Sequence, residues 1–223
     1  MCTLTWWRED DRYGVRFNRD ESVRRSVALP PSIREAEGCR YICPVDPDGG
    51  GTWIWVNETG VVACVLNNYT AIENSPAGPI SRGILLSSLA PAVSVSGLER
   101  RMERVDCGRY RGFFLFGCDG ENTVLFSWDG AALTKQPAPS CPVTTSGFLP
   151  AEVTAYRVKQ YRDQVTDGSG PLPQKLASYH QTHAPDFPAH SVLMARPDAR
   201  TVSLSAIVVA RDHIADGRLR VVT

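Results

Sequence analysis

The feature that most limits what this chain can fold into is a series of short apolar runs that begins at its second residue. Cys2 to Trp7 reads as a strand and Arg8-Glu9-Asp10-Asp11 as a polar turn. Tyr13, Val15 and Phe17 then alternate with Gly14 and Arg16, the period-two signature of a return strand. The spacing predicts a hairpin at the very start, with Asn18-Arg19-Asp20-Glu21 at its end. Arg40 to Val45 is a further strand. Asp46-Pro47-Asp48-Gly49-Gly50-Gly51 is a turn, because proline presets φ and glycine admits positive φ. Thr52 to Val56 and Val61 to Leu66 are β-branched and aromatic strands joined by Asn57-Glu58-Thr59-Gly60.

Helical signals follow. Ser81 caps Arg82 to Leu89, which Pro91 ends, and Gly97 to Val105 is a second, charge-rich helix. Gly112 to Phe116 and Thr123 to Trp128 form another strand pair, followed by a loop at Gln136-Pro137-Ala138-Pro139-Ser140. Ala151 to Val165 has a helical pattern, and Thr166 to Pro173 is a turn-rich break. Ser191 to Met194 and Thr201 to Ala210 are late strands. This order predicts an α+β fold with mostly antiparallel sheets, as one domain over residues 1–223.

Composition narrows the function classes. Lys plus Arg and Asp plus Glu both number 24, so the chain has no surplus positive charge for a phosphate track, and no nucleic-acid partner is expected. Hydrophobic residues make up 43%, too many for a disordered chain. No stretch approaches the ~20 apolar residues of a membrane span. The start lacks the basic region and long apolar run of a signal peptide, so a cytoplasmic protein is expected.

Seven cysteines, an odd number in a chain of this length, argue against a disulfide framework, and their spacings make no zinc site. Cys64 and Cys118 lie in apolar runs and read as small core residues. Cys2 differs through its position. Removal of Met1 would leave a thiol and a free α-amine on one residue. Their ordinary pKa values are ~8.5 and ~7.7–8.0, so the amine can take the thiol's proton. Taken alone, Cys2 is an ordinary second residue; its context changes that reading.

Met1-Cys2-Thr3-Leu4, Phe17-Asn18-Arg19-Asp20-Glu21 and Gly50-Gly51-Thr52-Trp53 resemble the NRDE family, that of the transport and Golgi organisation 2 protein. Asn57-Glu58-Thr59-Gly60, Asn67-Asn68-Tyr69 and Ser81-Arg82-Gly83 continue the likeness. Ser191-Val192-Leu193-Met194 and Ala199-Arg200-Thr201-Val202-Ser203 complete it in order. The resemblance implies an Ntn-hydrolase-like four-layer αββα sandwich, distantly similar to bile-salt hydrolases and penicillin acylases. It implies a hydrolase or acyltransferase acting on a C–N (amide) bond of a small molecule, with Cys2 as nucleophile and no cofactor.

In that reading Arg19 favours the thiolate, and Asp20 orients the α-amine. Asn67, seven residues after Gly60, donates to the oxyanion, with Asn68 as its neighbouring rival. Trp53 lines a substrate pocket. Thr145 stands where the related hydrolases carry a second Asn, and a late Arg, either Arg196 or Arg200, completes the set. The alternative on the same scaffold is a non-catalytic haem or acyl-CoA/lipid binding or trafficking protein, with Cys2 as an axial thiolate. His180, His183, Asp186 and His190 suggest a metal cluster, but Pro185 and Pro188 break the segment, and a polar surface or loop is expected instead, with no metal.

Overall fold

The computed structural model describes residues 1–71 and 80–210. In chain order its elements are β1 (Cys2–Arg8), β2 (Arg12–Ser22), β3 (Leu29–Ala36), β4 (Cys39–Val45), β5 (Ile54–Asn57) and β6 (Val62–Asn67). Then come α1 (Arg82–Ser88), α2 (Val95–Met102), β7 (Phe113–Cys118), β8 (Thr123–Trp128), β9 (Leu133–Pro137) and β10 (Val143–Thr145). The chain continues with α3 (Pro150–Tyr161), α4 (Leu172–His180) and β11 (Ala199–Ala210). Among the described residues no helix is long and apolar enough to cross a membrane.

The chain forms two compact units. The first, Met1–Arg25 with Ser140–Val208, carries a sheet of order β10-β1-β2-β11. α3 and α4 pack against it. Alternation along β1 sends Thr3, Thr5 and Trp7 to the helix side, where Trp7 joins Val165, Leu176, Tyr179 and Val192 in an apolar cluster. Gly14 sits opposite Trp7, and a Cβ there would stand 2.6 Å from the indole, so only glycine lets the ring lie across β2.

The second unit, chiefly Ser26–Pro139, is a seven-stranded antiparallel sheet of order β3-β4-β5-β6-β7-β8-β9. Its core includes Trp55, Val65, Leu115 and Phe126 from the strands, with Leu85 and Leu86 of α1 and Leu98 of α2. Full burial of each such side chain contributes about 1.5–3 kcal/mol. The Trp55 indole N–H donates to the Leu86 carbonyl at 2.7 Å, so its polar atom is satisfied inside the core.

Two family-like motifs meet in this unit by backbone approach. The Thr52 N–H donates to the Gly83 carbonyl, and a Cβ on Gly51 would fall 2.1 Å from the Gly83 carbonyl carbon. The glycine run and the Arg82-Gly83 helix start are therefore one contact.

Asn18-Arg19-Asp20-Glu21 ends the hairpin, as the last part of β2 before Ser22, with Asn18 and Arg19 paired to Thr3 and Cys2. Several other expectations are corrected. β3 was not expected: it contains Pro30 and Pro31, and Leu29 to Glu35 are exposed. It is an edge strand, where missing N–H groups are tolerated, and its register shifts between Leu29 and Ser32. β9, at the opposite edge, occupies part of the expected loop at 136–140. α4 begins inside the expected break at 166–173, since a proline in the first turn loses no helical hydrogen bond. Ser191 to Met194 is not a strand; the Leu193 N–H bonds the Thr182 carbonyl and the Met194 N–H bonds the Thr201 hydroxyl. Thr52 and Trp53, expected inside a strand, lie just before β5.

Gly51→Ala should destabilise the protein by about 1–3 kcal/mol or more, because the obstructing atoms are backbone and cannot rotate away. Chemical denaturation checks this; a loss below about 0.5 kcal/mol would show that the contact yields.

Candidate functional site

Strand register builds the site. Cys2 pairs with Arg19 on β2 and with Thr145 on β10. Directly opposed residues of antiparallel strands share a sheet face, so these three side chains lie together on the face turned away from α3 and α4. All are buried, with Cys2 at 8%, Arg19 at 6% and Thr145 at 7% exposure. The Thr145 hydroxyl is buried and has no hydrogen-bond partner. The Arg19 guanidinium lies 3.5 Å from the Glu21 carboxylate. Burial pushes the Cys2 thiol above its ordinary range; the chain's own ammonium, a hydrogen bond from the Asp20 main chain and Arg19 oppose this, and the Asp20 charge adds to it.

Met1 is part of this arrangement. Its α-amine donates to the backbone carbonyl of Asp20 at 3.2 Å, and its carbonyl accepts from the Asp20 N–H at 3.0 Å. The Ser146 hydroxyl lies 2.7 Å from the Met1 Sδ and also reaches the Phe148 carbonyl. With Met1 in place, the terminal amine thus meets the Asp20 main chain.

The Asp20 carboxylate points to the opposite, helix-facing side. There Arg157 donates to Asp20 Oδ2 at 3.0 Å, and both side chains are fully buried. Arg157 also donates to the Thr3 hydroxyl at 2.8 Å and to the Thr144 hydroxyl at 3.5 Å, while its Nε reaches the His190 carbonyl at 3.3 Å. Thr201 donates to Asp20 Oδ1 at 2.6 Å. One guanidinium therefore touches β1, β2 and β10 level with Cys2. Sequence reasoning missed Arg157. The available signal was its place four residues after Val153, on the buried face of α3.

The late-arginine expectation resolves differently. Arg196 pairs with Asp198 and stacks 4.5 Å over the Phe148 ring, and Arg200 is exposed. Neither occupies the place that Arg157 takes beside Asp20.

His180 was expected on a polar surface or loop, but it is fully buried at the end of α4. Asn18 uses both amide hydrogens on the His180 and Val192 carbonyls, so its Oδ1 must accept from His180 Nδ1 at 2.7 Å. That fixes the neutral tautomer, with Nε2 accepting from the Thr5 hydroxyl at 2.8 Å. Burial, aided by Arg16 and Arg157, pushes the imidazole down to about 3. Among the described residues no three His, Cys, Asp or Glu side chains converge as a metal site.

Trp53, Asn67 and Asn68 belong to the second unit. Trp53 is buried. Asn68 is committed to its turn: its amide donates to the Trp128 carbonyl, and its Oδ1 accepts from the Thr70 N–H and hydroxyl. Asn67 donates to the Tyr69 hydroxyl at 2.8 Å, leaving its second amide hydrogen uncommitted among the described residues.

The sequence matches the Transport and Golgi organisation 2 family over residues 1–210. The chain belongs to that family. No curated protein matches it significantly. Its fold is similar to that of a Caenorhabditis elegans N-acylethanolamine-hydrolyzing acid amidase ortholog, with 9% identity, full coverage of both chains and a TM-score of 0.59. It is also similar to penicillin V acylase from Agrobacterium tumefaciens, with 13% identity, a TM-score of 0.54, and coverage of 93% of this chain and 79% of that one. These likenesses show an Ntn-hydrolase-like α+β fold.

Two predictions follow from the helix-facing network. Arg157→Met strands a buried carboxylate and should cost about 3–5 kcal/mol, whereas adding Asp20→Asn should restore part of the loss. Urea unfolding of both singles and the double decides this; additive losses would remove the coupling. For His180, the unfolded chain takes up a proton below about pH 6.5 that the folded chain refuses until about pH 3. Its contribution is therefore complete above 6.5 and falls as pH drops, by about 2 kcal/mol between pH 7 and 5. His180→Gln should lower stability at pH 7 but flatten the decline to pH 5; an unchanged decline would contradict the assignment.

Proposed function

We propose that this chain is an N-terminal cysteine hydrolase or acyltransferase acting on an amide of a small molecule. The observation that carries the reading is Cys2 flanked in register by Arg19 and by an unpartnered, buried Thr145 hydroxyl. A buried hydroxyl without a partner costs on the order of 1–3 kcal/mol, and a ligand oxygen at this place would recover it.

Removal of Met1 makes the Cys2 amine the terminus. That amine accepts the thiol proton as Sγ attacks the acyl carbonyl carbon. It then returns the proton to the departing nitrogen as the C–N bond breaks, leaving a thioester on Cys2. Water, or a second amine in an acyltransferase, attacks the thioester and releases the thiol. Arg19 stabilises the thiolate against the burial that raises it. Thr145 takes the role of a donor to the substrate oxygen. Asn67 keeps the oxyanion-donor role that the family likeness implies. Asp20, with both oxygens engaged, acts by fixing the strand that receives the terminal amine.

The test starts with the intact mass, which should be lighter by one methionine. N-acylethanolamines and penicillin V, the molecules named for the similar structures, are the first substrates to assay. Cys2→Ala should reduce turnover by about 10³-fold or more, given losses near 10⁶ when a serine protease loses its nucleophile, and should leave the melting temperature unchanged. Turnover that survives Cys2→Ala would overturn the reading. Met1 retained in active protein would overturn the amine's role and redirect the work to haem and acyl-CoA titrations.

A further inference from the structure

In the second unit, a cleft of about 480 Å³ lies between the end of α1 and the C-terminal half of α2. Its volume falls in the range of small-ligand sites. Arg100, Arg101 and Arg104 line it, and among the described residues the sole acidic one lining it is Glu37. Both Glu37 oxygens are already taken by Arg101, at 2.6 and 3.3 Å. Glu99, on the same helix, is drawn to Lys135 at 3.5 Å. Arg100 and Arg104, four residues apart, are engaged by no carboxylate among the described residues. Like charges at that spacing repel, and favourable interaction with the helix C-terminus explains cations there, but not their convergence on a concave wall. At the lip Val93 stands 63% exposed, an apolar contact beside the charges. The chain as a whole has no charge surplus, so this concentration is local.

We propose that this cleft binds a small organic anion bearing a diphosphate, held by the forked donors of Arg100 and Arg104 with Arg101 fixed behind them by Glu37. A guanidinium presents paired N–H groups that match two phosphate oxygens, and adjacent forks match adjacent phosphates. The proposal is independent of the chemistry assigned to Cys2.

Calorimetric titration of the full chain with pyrophosphate, ADP and orthophosphate tests it. Saturable binding of pyrophosphate or ADP is expected, weakening with added salt, with orthophosphate at least tenfold weaker. Tighter binding of ADP than of pyrophosphate would place the organic body against Val93; equal binding would mean that the diphosphate alone is read. Arg100→Gln with Arg104→Gln should weaken binding at least tenfold at an unchanged melting temperature, since both side chains are exposed. Val93→Glu, which leaves the arginines in place, should weaken it as well. No saturable binding of either diphosphate below 1 mM, or binding unchanged in the double variant, would overturn the proposal.

Discussion

The first unit depends on one ion pair. Arg157 and Asp20 meet without solvent, where each charge would carry several kcal/mol of desolvation penalty if left alone. The penalty is offset because most of the remaining polar capacity is used: Thr201 on the carboxylate, and Thr3, Thr144 and the His190 carbonyl on the guanidinium. Such a pair adds little net stability over an apolar one, but it tolerates few arrangements. Those partners come from β1, β2, β10, β11, α3 and the chain after α4, so satisfying one group fixes the relative placement of all of them.

That constraint explains how one sheet separates two tasks. On the helix-facing side, the buried polar groups Asn18, His180, Asp20 and Arg157 are nearly saturated with partners and hold the strands in register. On the other side the same strands present Cys2, Arg19 and Thr145, where a buried hydroxyl is left over and the thiol is pushed up. Alternation along β2 assigns neighbouring residues to opposite faces, with Arg19 beside Cys2 and Asp20 in the helix-facing network.

What the sequence revealed follows from this division. The β1–β2 hairpin was legible because apolar alternation is a local signal. Cys2, Arg19 and Asp20 were legible through the ordered motifs. The direction of each side chain was partly hidden, because the polar Asn18 to Glu21 segment has no apolar alternation to assign its faces until its partners are known. Those partners, Arg157 and His180, lie far along the chain, 137 and 162 residues from the groups they satisfy. A lone arginine or histidine in a helical run carries no mark of burial except the apolar neighbour one turn away, Val153 for one and Leu176 for the other. β3 escaped because an exposed edge strand has no apolar face to announce it.

The same accounting separates family motifs that build from those that remain available to react. Asn57 spends both amide hydrogens on the Ala90 and Ala92 carbonyls, and its oxygen accepts from Thr59 and Val61. Gly51 and Gly83 exist to let two backbones touch. A residue so satisfied has nothing to offer a transition state, because any new hydrogen bond must first break an old one. Among the described residues Thr145 escapes that objection, with an unpartnered buried hydroxyl. Unspent hydrogen-bonding capacity, more than motif membership, is therefore the physical reason to place it with Cys2 in the candidate chemistry.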